Sequence, residues 1–140
     1  MLFGENLDLD FLNELIKNTM VDHLGIQFSK IGEDFLEATM PVDERTKQPM
    51  GLLHGGANVT LAETLGSVAA TMVTNPKTQY CVGLEINANH LKSVTSGMVR
   101  GVAKPIHLGK KTQVWEIKIY SEREDLTCIS RLTLAVLDKK

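Results

Sequence analysis

Cysteine is scarce in this chain of 140 residues, which contains only Cys81 and Cys128. Both lie inside apolar runs, and two cysteines are too few for a disulfide scaffold, so the sequence predicts buried free thiols. The four histidines are scattered, with no two at metal-ligand spacing and no cysteine beside them. We therefore expect no metal and no cofactor.

Neither sign of charge dominates, and long apolar runs are absent. The formal net charge is -2 and the pI is near 6.1, which gives no reason to expect a nucleic acid or a polybasic membrane contact. No stretch approaches the ~18 consecutive apolar residues of a membrane span. The first residues are acidic, unlike the basic start of a signal peptide. These absences predict a soluble cytoplasmic protein with neither a nucleic-acid nor a membrane partner.

The apolar pattern predicts one domain, residues 1–140, of the α+β class. The predicted elements are an amphipathic helix over 8–20 capped by Asp8 or Asp10, strands at 25–31 and 35–41, a surface loop over 43–53, a helix over 54–74, and strands at 80–91, 97–106, 112–120 and 126–137. The helix over 54–74 is apolar nearly all round, which indicates burial. In so short a chain, an antiparallel meander of strands must then wrap round that helix.

Glu63 is the most unusual residue, because it lies in the middle of this apolar helix. A carboxylate there is costly unless it is hydrogen-bonded, paired or used in chemistry; the alternative is a gap to solvent or a basic partner. Small or hydroxyl residues surround it at helical spacing (Thr60, Gly66 and Ser67), which is the composition of a pocket wall. The Ser67 hydroxyl has two open interpretations: it holds a water beside the carboxylate, or it bonds back to the carbonyl of residue 63.

The sequence His54-Gly55-Gly56 lies where the loop enters the helix. Free N–H groups and the positive end of the helix dipole can stabilise an oxyanion there, although an ordinary glycine-containing helix start has the same sequence. Gly55 and Glu63 are eight residues apart, or roughly 12 Å along the helix axis. If both residues are catalytic, the active site must lie across a dimer interface between antiparallel helices, with two equivalent sites.

The run from Gln48 to Gly56 and the run from Leu61 to Ser67 resemble the hotdog-fold acyl-CoA thioesterases, in the branch typified by 4-hydroxybenzoyl-CoA thioesterase with its helix glutamate. The likeness extends from His23 to the end of the chain. It implies the hotdog fold, in which an antiparallel sheet wraps round one long central helix, and a homo-oligomer built as a dimer of dimers with shared sites. It also implies hydrolysis of acyl-CoA, with aromatic acyl groups such as 1,4-dihydroxy-2-naphthoyl as the expected substrates.

The resemblance assigns a role to each residue of the catalytic site. The amide of Gly55 would polarise the thioester carbonyl, and Glu63 of the partner subunit would act as nucleophile or as general base. Gln48 and His54 would orient the thioester and the carboxylate, and Ser67 would position the hydrolytic water. A Ser–His–Asp mechanism is not expected, because no Gly-x-Ser-x-Gly elbow is present.

Two basic segments are candidates for binding the phosphates of coenzyme A. The predicted residues are His90, Leu91, Lys92 and Ser93 at the end of one strand, and His107, Leu108, Gly109, Lys110, Lys111 and Thr112 in a turn between two others. Gly109 permits a close approach of backbone to phosphate, although these lysines are also consistent with solvated loop charges. Gly83 would leave room for the pantetheine arm, or it marks a β-bulge.

Three alternatives remain open at the level of sequence. The first is another thioesterase substrate, either a misacylated aryl or acyl carrier protein or a broad set of medium and long acyl-CoA thioesters. The second is a hotdog dehydratase or hydratase that uses Glu63 and His54 as acid and base. The third is a non-catalytic module that binds acyl-CoA.

Overall fold

The computed structural model describes residues 1–140 and shows a curved antiparallel sheet around one long helix. The elements in chain order are α1 (Leu9–Leu15), α2 (Met20–His23), β1 (Gln27–Ile31), β2 (Leu36–Pro41), α3 (Gly55–Met72), β3 (Gln79–His90), β4 (Met98–Leu108), β5 (Thr112–Ser121) and β6 (Leu126–Asp138). The six strands are ordered β1-β2-β4-β5-β6-β3. The α+β class and the predicted arrangement of sheet and helix are confirmed. None of the helices is long and apolar enough to cross a membrane.

One face of α3 packs directly on the concave side of the sheet. Leu61 and Leu65 are fully buried there, as is Trp115 of β5. The helix comes close because two contact positions lack a side chain: a Cβ on Gly101 would lie 2.6 Å from Leu65 Cδ1, and one on Gly66 would lie 2.6 Å from a Leu132 methyl. Burial of these apolar groups holds α3, and with it the candidate site, in a fixed position on the sheet.

The opposite face of α3 is not buried, which corrects the prediction of a helix enclosed on all sides. Its residues are half-buried: Val59, Thr60, Glu63, Thr64, Ser67 and Val68. The reason is that a single sheet covers only one side of a helix, and α1 and α2 shield the other side incompletely. In the single chain this face of α3 is therefore left open.

The sequence predicted a meander of the four long strands, but only three of them form one. β4, β5 and β6 are paired in sequence order, but β3 pairs only with β6 and lies at the edge of the sheet. It cannot lie beside β4, because β2 and β5 already occupy both sides of that strand. As a result, Val82 and Leu84 on β3 are 39% and 61% exposed.

The amino-terminal helical segment is divided in two, where the sequence predicted one helix over 8–20. Asp8 caps α1 as expected, since its Oδ1 accepts a hydrogen bond of 2.7 Å from the Phe11 N–H. The segment breaks at Asn18, whose φ of 62° is left-handed and ends regular helix before α2 begins.

Candidate functional site

His54 is the N-cap of α3, and its side chain uses one of the free amides at the helix start. Its Nδ1 accepts a hydrogen bond of 2.7 Å from the Gly56 N–H. The next amides, of Ala57 and Asn58, donate to the His54 carbonyl. The N–H of Gly55 alone has no acceptor within the chain, so it is free to bind a ligand oxygen.

The loop before α3 is held in place more firmly than its charged, irregular sequence suggested. Thr46 is only 2% exposed, and its Oγ1 donates to the Pro41 carbonyl at 2.8 Å. The Thr46 carbonyl in turn accepts from the His54 N–H at 2.8 Å. Sequence reasoning missed Thr46, because a threonine in a polar loop gives no sign of burial. The loop therefore fixes the residue that caps α3.

A cavity of about 360 Å³ opens at the start of α3 and joins several predicted site residues. This helix-start cavity is lined by Gln48, Leu52, Leu53, Gly55, Asn58, His90, Leu91, Lys92, Ser93 and Val94. It brings the catalytic candidates Gln48 and Gly55 next to the first group of coenzyme A candidates. Gln48 Oε1 accepts from the Met50 N–H, which leaves its Nε2 without a partner in the chain.

Glu63 and Ser67 open into a different cavity, of about 480 Å³, on the half-buried face of α3. This helix-face cavity is lined by Leu15, Ile16, Thr19, Met20, Val21, Val59, Thr60, Glu63, Thr64, Ser67 and Val68. The only ionisable residue among them is Glu63, so this largely apolar cavity has a single acidic side chain in its wall. Glu63 is half-buried and has no basic partner, so the alternative that it pairs with a basic residue is wrong.

The Ser67 hydroxyl makes no bond to its own helix. Thr60 and Thr71 do bond back, donating to the carbonyls of Gly56 and Ser67 at 2.9 Å each. No such bond joins Ser67 Oγ to the carbonyl of Glu63, so this hydroxyl is available to a water or ligand one turn from the carboxylate.

Gly83 faces Glu63 across the gap between α3 and the edge strand. A Cβ on Gly83 would lie 2.6 Å from Glu63 Oε1, so the carboxylate takes the room that this glycine leaves. The strand is also irregular at this point, with a register shift between Gly83 and Glu85. The register shift agrees with the interpretation of Gly83 as part of a β-bulge. The contact of Gly83 with pantetheine stays a prediction.

The second group of coenzyme A candidates lies at the other end of α3. Leu108, Gly109, Lys110 and Lys111 line a cavity of about 800 Å³ together with Asn75 and Gln79, which follow the helix. His107 packs against Gly109, where a Cβ would lie 2.5 Å from its Nε2. Within one chain, the two predicted basic segments are thus separated by the length of α3, roughly 27 Å for 18 residues.

The lysines of the two segments differ in their surroundings. Lys92 forms an exposed ion pair with Asp125 at 3.0 Å. Lys110 and Lys111 have no carboxylate within ion-pair distance, so their charge is available to an anion.

Both cysteines are free, as predicted, but only Cys128 is buried; Cys81, on the edge strand β3, is half-buried. Burial raises the pKa of the Cys128 thiol, and burial likewise raises the pKa of Cys81 despite an opposing hydrogen bond with Thr74. A thiol with a raised pKa is a poor nucleophile, so neither cysteine has the character of a reacting group. No three His, Cys, Asp or Glu side chains meet at metal-binding spacing.

Comparisons with known proteins agree on one family. Residues 50–128 match the sequence profile described as the thioesterase superfamily. The chain is 56% identical to the 1,4-dihydroxy-2-naphthoyl-CoA hydrolase of Escherichia coli, over 98% of this chain and 100% of that protein. It is 52% identical to the proofreading thioesterase EntH of Cronobacter sakazakii, over 98% of this chain and 99% of that one. A Haemophilus influenzae thioesterase structure superposes with a TM-score of 0.95 at 52% identity, over 99% of this chain and 96% of the other.

Proposed function

This chain belongs to the thioesterase superfamily of hotdog-fold proteins and is a thioester hydrolase, and from that premise we propose that it hydrolyses aromatic acyl-CoA at a site shared by two subunits. The family, fold and activity inferred from the sequence are thereby confirmed. The substrate, the catalytic residues and the dimer are the proposal. One observation carries it: the unpaired carboxylate of Glu63 and the free amide of Gly55 open into separate cavities of one chain.

Two subunits with antiparallel α3 helices would unite these halves. The start of one helix would then approach the middle of the other, so that Gly55 faces Glu63 of the partner subunit. The open face of α3 and the apolar edge strand β3 support this contact, because both lack a neighbour in the single chain. Pairing of two β3 strands about a twofold axis would extend the sheet and generate two equivalent sites. The family resemblance extends this dimer to a dimer of dimers.

Each unpaired group of the site has a role in the proposed hydrolysis. The Gly55 N–H binds the thioester carbonyl oxygen and stabilises the oxyanion. Glu63 of the partner subunit either attacks the carbonyl carbon itself or removes a proton from a water held by Ser67. In the general-base route, collapse of the tetrahedral intermediate breaks the C–S bond, and the proton that Glu63 took from the water passes to the sulfur, which gives the free acid and the thiol of coenzyme A. In the nucleophilic route, collapse breaks the same bond but leaves a mixed anhydride on Glu63; water then hydrolyses the anhydride to the free acid and supplies the proton for the thiolate. Gln48 Nε2 and His54 would orient the thioester and the carboxylate.

The helix-face cavity is proposed as the acyl site. Its volume of about 480 Å³ and its largely apolar lining suit an aromatic acyl group beside the reacting carboxylate. The identity with the Escherichia coli hydrolase makes 1,4-dihydroxy-2-naphthoyl-CoA the first substrate to test. The identity with EntH favours a second candidate, an aroyl group misattached to a carrier protein.

The two basic segments would come closer together in the same dimer. With Gly55 opposite Glu63 of the partner subunit, the end of the partner's α3 lies roughly 14 Å along the axis from the start of the first helix, so Lys92 and Ser93 of one subunit would approach Lys110 and Lys111 of the partner subunit. Within one chain, each basic segment lies at only one end of α3. Together they would supply the positive charge that the phosphates of coenzyme A require.

Thiol release over a panel of thioesters tests this function. We expect the highest kcat/KM for hydroxyaroyl groups and loss of turnover in Glu63→Gln. Release of free thiol also separates hydrolysis from dehydration, which leaves the thioester intact. Comparison of aroyl-CoA with the same acyl group on a carrier protein chooses between the two candidate substrates. A best kcat/KM for short aliphatic thioesters, or full turnover in Glu63→Gln, contradicts the proposal.

A further inference from the structure

Asn58 is the single buried side chain whose hydrogen-bonding need the fold leaves unmet. It is 4% exposed, lies in the first turn of α3 and lines the helix-start cavity. Its Oδ1 is inaccessible to solvent and has no hydrogen-bond partner. An apolar residue of the same size would avoid this cost, so the amide is expected to serve a purpose other than stability.

The other end of that amide touches His90. Asn58 Nδ2 lies 3.3 Å from His90 Nδ1, at the end of β3. If the amide were turned over, Oδ1 would accept from Nδ1–H, and the buried NH₂ group would then have two donors without acceptors. Orphaned buried donors are rarer than orphaned carbonyls. In the orientation of the structure Asn58 donates to Nδ1, which places the proton of a neutral imidazole on Nε2.

His90 Nε2 faces Gly55. A Cβ on Gly55 would lie 2.9 Å from this nitrogen and 3.2 Å from the adjacent Cε1, so the edge of the ring covers the space that the glycine leaves open. The Gly55 N–H has no acceptor in the chain. Two unused donors, one from the backbone and one from the imidazole, thus lie side by side at the helix-start cavity.

Asn58 is the one side chain that hydrogen-bonds to the His90 ring. The only charged residue that lines this cavity is Lys92, which is paired with Asp125. No carboxylate lines the cavity to bond to Nδ1 in place of Asn58. The hydrogen bond from Asn58 is therefore what determines the tautomer of His90.

We propose that His90 is a second hydrogen-bond donor to the thioester carbonyl oxygen, and that Asn58 is the positioning residue that keeps its proton on Nε2. The inference rests on the proposed role of Gly55 in binding that oxygen. The Nε2 proton stays on the ring throughout, and its hydrogen bond strengthens as the oxygen becomes negative. The ring of His90 would then act on the reacting group, rather than on the phosphates of coenzyme A.

Kinetics of three variants test the assignment. Asn58→Leu should fold at least as stably as the wild type, while its kcat falls about tenfold and its KM changes less than about threefold. His90→Ala should lose about 10²-fold in kcat, the effect expected for one oxyanion donor. His90→Gln, whose amide also carries N–H donors, should recover part of that loss. Nitrogen NMR of labelled histidine should show Nε2–H in the wild type and a mixture of tautomers in Asn58→Leu.

A shortened substrate locates the contact. The S-methyl thioester of the best acyl group lacks pantetheine, yet the loss in His90→Ala should persist on it. If the loss disappears with this substrate, or if His90→Ala raises only KM, His90 contacts the pantetheine arm and the inference is wrong. Full activity in Asn58→Leu and His90→Ala, together with an inactive Glu63→Gln, overturns this inference alone; turnover in Glu63→Gln instead overturns the proposed function.

Discussion

The carboxylate of Glu63 lies against the backbone of Gly83, where a Cβ would approach its Oε1 to 2.6 Å. The carboxylate belongs to a helix residue, and the backbone of the edge strand limits where it can lie. In Gly83→Ala the new methyl must push the carboxylate away. Since a displacement of about 1 Å can cost on the order of 10² in rate, we expect kcat to fall at least tenfold.

Gly4→Ala is the matched control for Gly83→Ala, because its methyl would meet no atom within 4 Å. It should keep wild-type kcat. Urea unfolding should show that Gly83→Ala loses no more than about 1 kcal/mol of stability, so that lost activity cannot be ascribed to unfolding. Unchanged kcat in Gly83→Ala would show that the carboxylate does not depend on this contact.

Ser67→Ala should separate activity from stability. The Ser67 hydroxyl has no partner within the chain, so its removal should change the free energy of unfolding by no more than about 0.5 kcal/mol. If it holds the hydrolytic water, kcat should fall while KM changes little. Thr71→Val is the control, since it deletes a hydroxyl that bonds only to the Ser67 carbonyl one turn away. Equal kcat values for the two variants would exclude a role for Ser67 in positioning water.

A shared active site predicts complementation between two inactive variants. Gly55→Pro removes the free N–H at the first helical position, where proline is common, and its Cβ would also displace the His90 ring of the same subunit, so the variant loses this half of the site. His54 already has the extended conformation that a following proline requires, with φ -67° and ψ 133°. Glu63→Gln removes the carboxylate.

After the two variants are unfolded and refolded together, half of the dimers should be heterodimers with one intact site of two. Thiol release should then recover to about one quarter of the wild-type rate. Refolding each variant alone is the control and should give no recovery. No recovery in the mixture, with heterodimers verified by mass spectrometry of tagged chains, would mean that Gly55 and Glu63 act within one chain.

Thr46→Val should destabilise the protein through the loop that holds His54. The substitution leaves the Pro41 carbonyl and the Asp43 N–H without the Thr46 hydroxyl as partner. We expect a loss of about 1–3 kcal/mol in the free energy of unfolding, measured in urea. Thr78→Ala, at an exposed position, should stay within about 0.5 kcal/mol of the wild type. Equal stability of the two variants would mean that the Thr46 bonds contribute little.

The sequence predicted the local elements well, because the long strands are rich in β-branched and aromatic residues and α3 has clear end signals. It also singled out Glu63, since a charged residue in an apolar helix conflicts with its surroundings. It did not place β3 at the sheet edge, because strand periodicity shows which side chains share a face but not which strand is adjacent. The open face of α3 was missed for a related reason: apolar composition does not distinguish a face covered by the same chain from one left for a partner.

The contact between Asn58 and His90 lay beyond sequence reasoning altogether. The two residues are 32 positions apart, and they meet only because β3 returns to the start of α3. Asparagine at the fourth position of a helix gives no sign of burial, and His90 was assigned to phosphate binding from its basic neighbours. The orientation of its ring towards Gly55 depends on the curvature of the whole sheet.

The exposed edge of β3 also bears on how a single chain behaves in solution. An open strand with apolar side chains offers unpaired amides and carbonyls to any other strand, which is how chains begin to add to one another as fibres. Pairing of that edge with the same edge of a second copy would leave no unpaired amides and carbonyls at which aggregation could start. In the proposed dimer the same contact would thus also govern colloidal stability, and substitutions that keep the edge open would favour precipitation.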